Sequence, residues 1–168
     1  PAPTQIESSP GFTQLWSATI DAALSLTGGN ADTRTVNVGT KAARTSDRNR
    51  TSLYFTSLFA SNSTSGVSLT TANAIRGGGR YEHDLKPKLF TFGFSDLEFD
   101  RFQDLDLRLV LGGGFGLNVA DSPRTTFQVF AGGSSNQEYF GSGIRRKSAE
   151  SVTGEEWTYR ISDTTSLT

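Results

Sequence analysis

The chain has no cysteine, no methionine and a single histidine, and its acidic and basic residues almost cancel. Each shortage excludes a class of chemistry. Without cysteine there is no disulfide framework, no thiol nucleophile and no thiolate zinc site. A multi-histidine metal centre is excluded, and a serine triad would have to rest on His83 alone. His83 stands close to Pro87 and reads as a solvated turn residue. Lys+Arg number 16 and Asp+Glu 17, which removes the electrostatic basis for nucleic-acid binding. No stretch reaches the roughly 18 apolar residues that a transmembrane helix needs. A mean hydropathy of −0.36 is ordinary for a soluble chain. Membrane strands that alternate lipid-facing and lumen-facing residues average out polar in the same way.

What the chain does have is 18 glycines, 12 phenylalanines and abundant Thr and Ser, a composition that favours strands. Residues 1–13 carry three of the five prolines, show no periodicity, and read as a leader or linker. With Pro1 in place of an initiator methionine, the start is expected to be that of a mature or excised segment. From residue 14 onward the period is two. Trp16, Ala18, Ile20, Ala22, Leu24 and Leu26 form one face of the first strand, with Ser17, Thr19, Asp21 and Ser25 on the other. Further strands are predicted at residues 33–44, 51–61, 70–81, 88–99, 105–119, 124–132 and 149–161. In the fifth, Phe90, Phe92 and Phe94 alternate with Thr91, Gly93 and Ser95. In the sixth, Leu105, Leu107 and Leu109 alternate with Asp106 and Arg108.

Gly28-Gly29-Asn30, Ser46-Asp47-Arg48-Asn49, the segment ending in Pro87, and Asp121-Ser122-Pro123 mark turns. Connections near Asp47, Pro87 and Pro123 are short. Those at residues 61–68, 100–104 and 133–148 are expected to be longer loops on the opposite side; the short connection at Gly28 breaks that trend. Short turns on one side and long loops on the other, joined by strands of about 9–11 residues or more, describe a transmembrane barrel. The expected fold is all-β: an antiparallel up-and-down meander forming an outer-membrane-type β-barrel over residues 14–168. About eight strands fall in this chain. Ser166-Leu167-Thr168 reads as the start of a ninth, so the pattern predicts a barrel that continues past the C-terminus.

On that reading Trp16, Ile20, Phe90, Phe92, Phe94, Leu105, Leu107 and Leu109 face lipid, while Asp21, Lys41, Arg76, Arg80, Asp106 and Arg108 face the lumen and offset one another. An aromatic belt is expected from Trp16, Tyr54, Phe99, Phe102, Tyr139 and Phe140. Glu98, Asp100 and Asp104 are the one acidic cluster whose spacing suits a divalent cation; the preferred reading is a solvated hairpin tip. Arg145-Arg146-Lys147 is a basic run suited to lipid phosphates or to plain solvation. The runs Gly77-Gly78-Gly79 and Gly112-Gly113-Gly114-Phe115-Gly116 lack the Lys and Ser/Thr of a phosphate loop, and read as bending or close-packing positions in strands. No catalytic, metal or cofactor-binding set emerges.

Several segments in order resemble the salt-induced outer-membrane protein family (YdiY-like), a family of unknown function. They are Trp16-Ser17-Ala18-Thr19-Ile20, then Leu26-Thr27-Gly28-Gly29-Asn30-Ala31-Asp32-Thr33, then Gly79-Arg80-Tyr81 and Phe92-Gly93-Phe94. The sequence from Asp100 through Arg108 into Gly112–Gly116 follows, and Gly154-Glu155-Glu156 closes the series. The resemblance implies a Gram-negative outer-membrane barrel with lipid as its partner, and no catalytic residues or cofactor to carry over; the expected function is non-enzymatic, a structural or envelope-stress role or a small-solute channel. The chain lacks the terminal aromatic residue usual in such barrels. The competing reading is a soluble or surface β-domain that binds a partner, or a second copy, through open strand edges.

Overall fold

A computed structural model of the chain describes residues 16–29, 32–64, 67–161 and 165–167; the expected leader at residues 1–13 lies outside them. Eight long strands follow one another: β1 (Trp16–Thr27), β2 (Asp32–Thr45), β3 (Asn49–Thr64), β4 (Val67–Lys86), β5 (Leu89–Asp100), β6 (Leu105–Asp121), β7 (Thr125–Phe140) and β8 (Arg145–Arg160). A two-residue β9 (Ser166–Leu167) comes last, and a 3-10 turn at Arg101–Gln103 separates β5 from β6. Each strand pairs antiparallel with the next, so spatial order equals chain order. This is the expected all-β meander.

The turns form where their residues allow. Ser46 and Asn49 exchange backbone hydrogen bonds of 2.8 and 3.3 Å around Asp47-Arg48. Pro87, which has no N–H to leave unpaired, sits in the two-residue turn between β4 and β5. The Ser122 hydroxyl accepts from the backbone N–H of Thr125 at 3.0 Å and closes the β6–β7 turn. The long loops expected at 61–68 and 133–148 are not there. β3 runs to Thr64 and β4 begins at Val67; β7 runs to Phe140 and β8 begins at Arg145. Composition suggested loops because Ser135 and Gln137 are polar on the face where Phe127 and Val129 are apolar. The ladder of backbone hydrogen bonds continues regardless. His83 likewise lies within β4, its Nδ1 2.8 Å from Asn49 Oδ1, which also accepts from the Tyr81 hydroxyl at 2.7 Å.

Only one sheet layer exists among the described residues, yet Phe90 is 0% and Phe92 4% exposed. A flat sheet cannot bury a side chain on one of its faces. Arg80 of β4 also lies 4.6 Å from the ring centre of Phe130 of β7, although three strand spacings amount to about 14 Å. The sheet is therefore curled, with the face of Phe90, Phe92 and Phe130 inward. It does not close among the described residues: β1 pairs with β2 alone, and β8 meets β9 only at Tyr159 and Arg160.

Register assigns every strand position to a face, because directly opposed residues project together. Trp16, Ile20, Val36, Val38, Leu53, Phe55, Leu109, Leu111, Phe115 and Leu117 share the outer face. Ile20 is 75% and Phe115 61% exposed. Phe90, Phe92 and Phe94 do not belong to that set. They stand opposite Asp84, Glu82 and Arg80 and project inward. The physical reason is space: on the next strand they face Gly116, Gly114 and Gly112, and the Phe90 and Phe94 rings fill the volume that Gly116 and Gly112 leave. Leu105 also departs from the expected lipid-facing set. An extra residue, Asp106, shifts register between Leu105 and Leu107, so Leu105 sits opposite Asp100 and Phe140 and is 1% exposed, while Leu107 faces out opposite Tyr139.

Candidate functional site

The inner face is where the chain concentrates its chemistry. Alternation brings Asp21, Lys41, Arg76, Arg80 and Arg108 to this face; Asp106, the sixth expected lumen residue, occupies the β6 bulge and is exposed. Three arginine clusters run along it. Arg50 donates from Nε to Glu82 at 2.7 Å and from both terminal nitrogens to Asp84 at 3.2 and 3.0 Å. Arg80 donates to the other oxygen of Glu82 at 2.6 Å. Arg76 donates to Asp96 at 2.8 Å and to the Tyr54 hydroxyl at 3.1 Å, and that hydroxyl in turn donates to Asp96. Arg108 spans Glu98 at 2.7 Å and Glu138 at 2.9 Å.

These pairs explain how carboxylates survive in a partly closed interior. Glu82 is 7% exposed, and a lone charge there would cost several kcal/mol. Two guanidinium groups, one on each oxygen, offset that cost. Arg80 also lies between two rings, 4.2 Å from the centre of Phe92 and 4.6 Å from that of Phe130. The two rings meet edge to face at 5.4 Å and 73°. None of Arg50, Glu82, Asp84, Glu138 or Phe130 stands out from its own strand. The signal lies in cross-strand pairing, which opposes Glu82 to Arg50 and Glu138 to Arg108.

The glycines acquire a shared explanation. Gly78 stands opposite Tyr54, Gly112 opposite Phe94, Gly116 opposite Phe90 and Gly154 opposite Phe130. A Cβ at Gly78 would lie 2.8 Å from the Tyr54 ring, and one at Gly112, Gly116 or Gly154 would fall inside the opposing phenylalanine. Each ring lies over a glycine on the neighbouring strand. Gly78, Gly112 and Gly116 are thus seats for rings, whereas Gly113 and Gly114 lie against the backbone of the neighbouring strands.

The acidic cluster does a different job from the cation site considered for it. Among the described residues no set of three or more acidic or histidine side chains is placed to hold a metal. Glu98 is held by Arg108. Asp100 caps the 3-10 turn, accepting from the Phe102 N–H at 2.9 Å. Asp104 adopts a left-handed backbone, φ 54°, and its carboxylate accepts from Ser142 N–H at 3.0 Å while its carbonyl accepts from Gly141 N–H at 2.9 Å. It ties the β5–β6 turn to the tip of the β7–β8 hairpin. Asp104→Ala is expected to cost about 1 kcal/mol, the worth of one such hydrogen bond. Amide exchange at residues 141–144 should rise while exchange in β4 and β5 stays unchanged.

The expected aromatic belt divides between faces. Trp16 and Tyr139 face out; Tyr54, bonded to Asp96, and Phe140, opposite Leu105, face in. Phe102 is exposed in the β5–β6 turn. Tyr81, Trp157 and Tyr159 join the outer set, the last two stacked at 6.2 Å and 21°. In the basic run, Arg145 and Lys147 face out with Tyr139 and Gln137, Arg145 resting 5.6 Å over the Tyr139 ring. Arg146 turns in opposite Glu138 and rests 5.1 Å over Phe140.

A family model described as "Protein of unknown function, DUF481" matches residues 20–168, from the middle of β1 to the end of the chain. The chain belongs to that family. DUF481 is the family of YdiY-like salt-induced outer-membrane proteins, in agreement with the resemblance carried by the Leu26–Thr33 and Asp100–Arg108 segments. No curated protein and no solved structure matches the chain. The meander and its two-faced pattern therefore attach to DUF481 through this chain's own residues.

Proposed function

We propose that this DUF481 chain forms the wall of an outer-membrane β-barrel with a non-enzymatic role in the envelope, structural or in response to stress, and that its partner is lipid. One observation carries the reading: apolar side chains occupy the solvent-exposed outer face, while arginine–carboxylate pairs occupy the inner one. A water-soluble domain buries its apolar face; exposing it is the arrangement for a hydrocarbon solvent. Strand length agrees, since β3, β4, β6, β7 and β8 each have 16 to 20 residues, against about 9–11 needed to cross a bilayer. Trp16, Tyr81, Trp157 and Tyr159 lie toward the strand ends on the side of the tight turns, as an interfacial girdle would.

Among the described residues one edge of β1 has no partner and β9 covers only the end of β8, which favours the second reading, a β-domain that pairs with another chain or a second copy. Extraction separates the two. Purified with detergent, the chain is expected to give a faster-migrating unboiled band on a denaturing gel that shifts on boiling. Solubility without detergent, with no shift on boiling, would transfer the assignment to the edge-paired domain.

A further inference from the structure

The inner face is crowded in a way that bears on whether solutes pass. Arg80, Phe92 and Phe130 come from β4, β5 and β7 and pack into one layer, ring on ring and guanidinium on ring. Phe90 and Phe94 extend that layer along β5, with Phe90 fully buried. The Arg80 Nη2 atom is shielded from solvent by its neighbours.

The wall also bends far enough to bring distant strands together. A cavity of about 460 Å³ is lined by Ser52 and Tyr54 of β3 on one side and Val152 of β8 on the other. A second, of about 230 Å³, joins Arg50 of β3 to Gln128 of β7 and Glu156 of β8. In a flat sheet β3 and β8 would stand about 24 Å apart. Strands β3 to β8 thus curl round an interior narrow enough for side chains of facing strands to meet across it, with Arg80, Phe94 and Phe130 bordering the larger cavity.

We infer that the Arg80–Phe92–Phe130 layer seals the lumen, so that the protein does not work as a diffusion pore. The inference rests on the membrane reading above and deepens it. An ion or sugar crossing at this height would have to displace packed rings and give up its hydration to a surface whose charges are already paired. Arg50, Arg80, Glu82 and Asp84 neutralise one another, so no net field remains at the layer to draw an ion in.

Proteoliposome swelling in a small sugar, with planar-bilayer recording of the same preparation, tests this. Insertion is scored separately, by the heat-shifted band recovered from washed vesicles. The wild-type chain is expected to insert, to swell no faster than protein-free vesicles and to show no conductance steps. Phe92→Ala/Phe130→Ala, heat-shifted like the wild type, is expected to admit the sugar and to show discrete steps. Wild-type vesicles that swell would overturn the seal and leave the membrane reading standing. A folded double variant that stays silent would overturn the assignment of the seal to these rings. A chain that never inserts would overturn both. If the double variant fails to fold, Phe130→Ala alone takes its place with the same expectations.

Discussion

Replacing Glu82 by leucine is expected to destabilise the folded chain by about 3–5 kcal/mol, the range for breaking a buried ion pair from one side. Glu82 is the shared acceptor of Arg50 and Arg80, so its loss affects both. Arg50 keeps Asp84 at 3.0 Å, but Arg80 has no second carboxylate among the described residues and remains charged against Phe92 and Phe130. The cost should therefore be that of a single stranded guanidinium. Removing this charge too, in Glu82→Leu/Arg80→Met, is expected to recover most of the loss, since an apolar pair of similar volume suits a site bounded by rings. Denaturant midpoints in detergent, read by tryptophan fluorescence, give both numbers. A double variant no more stable than the single would show that packing and not charge sets the cost.

The second large effect is expected at Gly114. A Cβ there would meet the carbonyl oxygen of Ala131 and the Cα of Gly132, and Gly132 meets the Gly113 backbone in return. These are ladder atoms of β6 and β7, and no rotamer change moves them. Gly114→Val is expected to cost about 3 kcal/mol or more, the upper end for overpacking. Gly93→Ala supplies the contrast, because its nearest neighbour is the Gly112 oxygen at 3.8 Å. It should stay within about 0.5 kcal/mol of the parent. Equal losses at the two sites would mean that strand propensity and not close approach is what these glycines serve.

Much of this was legible in the residues. The period of two is clearest in β1, β5 and β6, where one parity is apolar, and Asp47-Arg48, Pro87 and Ser122 mark turns by their backbone chemistry. What a single strand does not reveal is which parity faces in. For β1 the apolar face is the outer one, and the same rule applied to β5 sent Phe90, Phe92 and Phe94 the wrong way. The deciding information sat on other strands: Arg80 and Glu82 opposite on one side, and Gly112, Gly114 and Gly116 opposite on the other. Leu105 faces in because one inserted residue, Asp106, reverses parity behind it. The polar segment from Gly133 to Phe140 looked like a loop because its outward residues cease to be apolar, and side-chain chemistry carries no record of the backbone pairing that continues.

The central claim, an outer face against lipid, is tested most directly by tryptophan quenching. The chain has two tryptophans, Trp16 and Trp157, and both project from the outer face. In vesicles whose acyl chains carry bromine, the folded chain is expected to lose most of its tryptophan emission, while aqueous iodide leaves the emission nearly unchanged. Emission quenched by iodide and indifferent to brominated chains would place that face in water and contradict the account.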